Sequence, residues 1–69
     1  MKIYRLEWYL PLEERKIIRL YANQEAAEEM YKDLKGCLDR GSWLSLWEMT
    51  EDEQDHLFID SEILHHNEF

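Results

Sequence analysis

Apolar and polar side chains alternate along residues 2–10, Lys-Ile-Tyr-Arg-Leu-Glu-Trp-Tyr-Leu. Tyr4, Leu6, Trp8 and Leu10 fall on one side, Arg5 and Glu7 on the other, with Ile3 and Tyr9 at the ends. Alternation of this kind marks a half-buried β-strand. Pro11 interrupts it, because proline has no N–H to give to a strand ladder. Residues 15–22 alternate again, Ile18, Leu20 and Ala22 against Arg15, Ile17, Arg19 and Tyr21. Two such runs around a short polar break predict a β-hairpin over 2–22 with a loop of about four residues. Residues 11–21 are also compatible with a helix, but the alternation favours the hairpin.

The period then changes. Asn23 offers a side-chain cap, and Gln24-Glu25-Ala26-Ala27-Glu28-Glu29 follows, with acids at the end where the helix dipole is positive. Ala27, Met30, Tyr31, Leu34, Cys37 and Leu38 recur at three- and four-residue spacing and form one apolar stripe. Lys32, Lys35 and Arg40 gather toward the other end, and Gly41 is placed to stop the element. The prediction is a helix over 24–40, with Gly36 as a weak point inside it.

Alternation returns at 42–50, where Trp43, Ser45, Trp47 and Met49 oppose Leu44, Leu46 and Glu48. Residues 51–55 read as a polar turn, 57–64 as a fourth strand and 65–69 as a tail. The expected fold class is therefore α+β: one ββαββ domain over 1–69, a four-stranded antiparallel sheet with one helix on one face. Its second hairpin, over 42–64, is acidic. Tyr4, Leu6, Trp8, Leu10, Ile18, Leu20, Leu44 and Leu46 are expected on the helix side. The reverse face then carries Ile3, Tyr9, Ile17, Tyr21, Trp43, Trp47 and Met49 among Arg5, Arg19 and Glu7.

Composition sharpens this picture in two respects. With no Val and a single Thr, the strands rest on periodicity rather than on β-propensity. The net charge of −8 is also unevenly placed. All eight Lys and Arg lie within residues 1–40, where eight acids balance them. Residues 41–69 hold the other eight acids (Glu48, Glu51, Asp52, Glu53, Asp55, Asp60, Glu62 and Glu68) and no Lys or Arg. A negative surface does not attract nucleic acid, whose affinity for proteins comes largely from Lys and Arg displacing counterions. It suits a protein partner with a basic face.

Several classes of function are disfavoured. No apolar run approaches the ~20 residues of a membrane span. Met1-Lys2-Ile3-Tyr4-Arg5 does not open a secretory signal, and one cysteine cannot form an internal disulfide, so a cytoplasmic setting is expected. Cys37 lies on the apolar helix stripe, where a buried thiol is inert. Adjacent His65 and His66 point to opposite faces of a strand, so they do not share a metal ion and read as solvated. A calcium loop starting at Glu51 would place His56 where Gly is required. Neither a catalytic constellation nor a metal or cofactor site is expected.

The candidate partner-binding residues are Trp43 and Trp47, as desolvated anchors, with Glu48, Glu51, Asp52, Glu53, Asp55, Asp60 and Glu62 as an acidic rim. Small size, acidic bias, many aromatics and no catalytic constellation resemble, in kind, the small inhibitors carried by phages and mobile elements. The expectation is a non-catalytic module that binds the basic surface of a nucleic-acid-binding protein. The alternative is a homodimeric structural or accessory protein that buries Ile3, Tyr9, Ile17 and Tyr21 of its aromatic sheet face against a second copy.

Overall fold

The computed structural model describes residues 1–51 and 58–69, with the side chains of all these except 58 and 59. Five elements follow one another: β1 (Lys2–Leu10), β2 (Arg15–Tyr21), α1 (Gln24–Lys35), β3 (Trp43–Glu51) and β4 (Phe58–Glu68). The strands form one sheet in the order β2-β1-β3-β4, and every neighbouring pair is antiparallel. The chain is thus an α+β fold of ββαββ order, as the periodicity indicates. No helix among the described residues is long and apolar enough to cross a membrane.

The strand order explains where the helix lies. β2 and β3 both run antiparallel to β1, so they run parallel to each other with β1 between them. A parallel relation needs a crossover connection, and α1 supplies it by passing over one face of β1. Leu6, Leu44 and Leu46 are fully buried beneath the helix, with Tyr4, Trp8, Ala27 and Tyr31 around them. Burying one such leucine contributes about 1.5–3 kcal/mol. Asn23 caps the helix, its side-chain oxygen accepting the Ala26 N–H at 3.2 Å.

Four features depart from the sequence expectation. The first is the register of the opening hairpin. Leu10 pairs with Arg15 across the loop 11–14, so Trp8 faces Ile17, Leu6 faces Arg19 and Tyr4 faces Tyr21. Ile17 and Tyr21 therefore pack on the helix side, half-buried against the core, and Arg19 shares that face. Ile18 and Leu20 point the other way, 48% and 61% exposed. A loop one residue shorter or longer would reverse these faces, because a one-residue slip turns every side chain over. The loop closes with Glu14 N–H donating to Pro11 C=O at 3.3 Å and Glu14 at φ +50°. That left-handed conformation disfavours most residues with a Cβ.

The second departure is the helix end. α1 stops at Lys35, with Gly36 as its C-cap, rather than running to Arg40. Its last turn tightens, Gly36 N–H donating to Asp33 C=O at 3.3 Å and Cys37 N–H to Leu34 C=O at 3.0 Å. Cys37 thus lies beyond the helix and is exposed, not buried on its stripe. Gly41 instead serves the turn into β3, at φ +94°.

Third, residues 65–68 are strand and not tail. β4 continues to Glu68, and Phe69 N–H donates to Ser42 C=O at 3.0 Å beyond it. Fourth, β4 is irregular. Leu46 pairs with His65 but Trp47 pairs with Ile63, which leaves Leu64 without an opposite residue. Leu64 turns into the core at this β-bulge. A second register shift lies between Thr50 and Glu51. The predicted turn at 51–55 falls mostly outside the described residues.

Candidate functional site

The helix-free face of β3 carries Trp43, Ser45, Trp47 and Met49 in alternate positions. Ser45 is the small member of that row, and its place between two indoles opens a hollow of about 400 Å³. Glu7, Ile63, His66 and Glu68 complete its lining. Register assembles the row from three strands: Glu7 of β1 faces Ser45 of β3, which faces His66 of β4. The bulge brings Ile63, and not Leu64, beside Trp47.

Each wall of the hollow is held by a cross-strand neighbour. Tyr9 stacks on Trp43, ring centroids 6.4 Å apart and planes 10° from parallel. Arg5 lies over Trp47, its guanidinium carbon 5.6 Å from the ring centroid, a cation–π contact. The same guanidinium places Nε 2.8 Å from Glu7 Oε1, an ionic contact without the alignment of a good hydrogen bond. Glu7 is only 8% exposed, and a carboxylate so buried needs such a counter-charge. At the floor, Ser45 Oγ and His66 Nδ1 are 2.6 Å apart.

The acids expected to rim the tryptophans do not form one patch. Glu48 points to the helix side, where Lys2 Nζ approaches its Oε1 to 2.6 Å. The hydrogen bond and the charge of Glu48 raise the Lys2 pKa above its ordinary value. Glu48 is therefore neutralised within the chain and does not join the site. Asp60 and Glu62 share its face, opposite to the tryptophans, and are exposed. Glu51 lies at the end of β3, its N–H donating to Met1 C=O at 2.8 Å. Asp52, Glu53 and Asp55 lie outside the described residues. Among the residues expected to self-associate, Ile3 and Tyr9 lie on the helix-free face, whereas Ile17 and Tyr21 belong to the helix side.

The acids that do line the hollow, Glu7 and Glu68, come from the two strands flanking β3. Alternation placed Glu7 and Ser45 on this face, but only the pairing of β1 with β3 brings them together. His65 and His66 part as strand neighbours must. His65 faces the helix, with Nε2 2.8 Å from Glu28 Oε2 and its ring 5.1 Å from that of Tyr31. No group of three metal-ligating side chains occurs among the described residues. Comparison of the chain with protein-family models, with curated proteins and with solved structures finds no match.

Proposed function

We propose that the chain is a non-catalytic protein–protein interaction module that docks on a basic surface through the β3–β4 half of its sheet. The observation that carries this reading is the hollow between Trp43 and Trp47, lined by Glu7 of β1 and by Glu68, with all its other lining residues from the segment 41–69 that holds no Lys or Arg. Aromatic side chains around a concave centre suit an interface anchor. Asp60 and Glu62 contribute at longer range, because steering acts through the summed field and does not require one shared face. The partner is then a protein whose Lys- and Arg-rich surface otherwise meets phosphate, and occupation of that surface makes the module an inhibitor, comparable in kind to those of phages and mobile elements. Ser45 and His66 form the floor of the anchor in this reading, the serine being 5% exposed.

The test is capture of basic proteins from a host lysate, eluted with rising salt, followed by binding kinetics with the recovered partner. Asp60→Lys with Glu62→Lys is expected to slow association about tenfold and flatten its salt dependence. Trp47→Ala is expected to act on the dissociation rate instead. Association that is unchanged by the double reversal removes the electrostatic part of the proposal.

A second reading is favoured by Ile18, Leu20 and Ile63, which stand exposed on the helix-free face. In it, that face is buried against a second copy. Light scattering after size exclusion decides between the two, since a dimer that persists at high salt supports this one.

A further inference from the structure

We infer that the hollow between Trp43 and Trp47 is a receptor for a single guanidinium group, an arginine side chain of the partner. This deepens the basic-partner reading and rests on it for the source of the arginine. The hollow's volume of about 400 Å³ is near the lower end of the roughly 300–1,000 Å³ of small-molecule sites. It accommodates one long side chain and not a folded segment. Its lining combines two indoles with two carboxylates, Glu7 and Glu68. Indole faces attract cations through their ring quadrupole, and carboxylates add charge and acceptor oxygens.

The chain itself displays the chemistry next to the hollow. Arg5 lies over the Trp47 ring and approaches Glu7 to 2.8 Å, so indole and carboxylate already hold one guanidinium between them. Arg5 is not among the residues that line the hollow. Glu7 Oε1 receives it, yet an ionised carboxylate offers about four lone-pair sites over its two oxygens. Glu68, exposed at the far side, takes part in no ion pair among the described residues. Arginine suits the site better than lysine, because its planar, weakly hydrated group stacks on aromatic faces and meets carboxylates in a fork. A neutral sugar also stacks on indoles, but it leaves Glu68 without a counter-charge, since Arg5 answers Glu7 alone.

The experiment uses the intact chain and the indole N–H resonances of Trp43 and Trp47. N-acetyl-arginine amide is titrated in, against N-acetyl-citrulline amide, its neutral isostere, and methyl glucoside. The arginine probe is expected to shift both resonances with a millimolar Kd, about tenfold tighter than the citrulline probe. Ser45→Leu fills the hollow and abolishes the shift. Because Ser45 is buried and its replacement can disturb folding, Glu68→Gln provides an exposed, isosteric check and is expected to weaken the arginine probe about threefold. Equal responses to arginine and citrulline, a response to the sugar alone, or none to arginine each overturn the inference. If the arginine probe fails while salt-sensitive capture of basic proteins persists, the receptor is lost and the interaction module stands. If the probe binds while capture fails, the module is lost.

Discussion

On the helix side of the sheet Leu6, Leu44 and Leu46 are fully buried, while on the opposite side Ile18, Leu20 and Ile63 remain 46–61% exposed. The buried set comes from the central strands β1 and β3 and the exposed set from the outer strands β2 and β4, and along β2 half-buried Ile17 and Tyr21 alternate with exposed Ile18 and Leu20. The covered side is held by apolar area removed from water, which is non-directional and strong. The uncovered side is organised by directed contacts: Tyr9 against Trp43, Arg5 over Trp47 and beside Glu7, and Ser45 with His66. A side built on directed contacts around a hollow contributes less to stability and more to recognition. That division is what a small domain with one helix can support, since one helix covers one face.

The sharpest way to break this comparison is Leu46→Ala. Removing a fully buried leucine beneath the helix is expected to cost about 3 kcal/mol, enough to leave so small a domain largely unfolded. Leu20→Ala on the other side is expected to change the urea midpoint by no more than about 0.5 kcal/mol equivalent. Similar losses from both would mean that the uncovered side is packed against something in solution. A finer contrast lies in adjacent residues: Ile17→Ser is expected to cost about 1 kcal/mol or more and Ile18→Ser almost nothing. The reverse order would show that the hairpin register is displaced by one residue.

The last effect concerns Tyr31, whose hydroxyl donates to Asn67 Oδ1 beneath the helix. Burial, and then the nearby Glu28 carboxylate, raise its pKa above the ordinary tyrosine value. Below the unfolded-state pKa the phenol is protonated in both states and its contribution is complete. As pH rises, the unfolded chain loses this proton first, so stability falls until the folded pKa is passed. Tyr31→Phe is expected to cost about 1 kcal/mol at neutral pH for the lost hydrogen bond. It is also expected to flatten the alkaline limb of stability against pH, measured by urea denaturation. An alkaline limb identical to that of the parent would contradict the assignment.

Element order and the two sides of β1 and β3 were legible from alternation, because Tyr4-Leu6-Trp8 keep strict parity with Arg5 and Glu7, and Leu44-Leu46 with Trp43, Ser45 and Trp47. The side occupied by Ile17 or Ile18 was not, because both are isoleucine and a loop of about four residues leaves the pairing open by one, which is enough to exchange them. The helix end was misread at Gly36, since the apolar spacing continues through Cys37 and Leu38 after the hydrogen bonds have stopped. Within the candidate site, the two tryptophans stood out by residue type. Glu7, His66 and Glu68 did not, because their meeting depends on β1 and β4 flanking β3, which no local pattern encodes. The acidic run misled in the other direction, since Lys2, forty-six positions away, is the partner of Glu48.

The bulge at Leu64 has a consequence for the behaviour of the sheet at its outer margin. β4 is an edge strand, and a long straight edge offers unpaired backbone groups to any other extended chain. Along β3 and β4 no more than four successive rungs run without a register shift. A margin broken this often is a poor template for further growth, so β4, the longest strand among the described residues, is poorly suited to seeding fibrils.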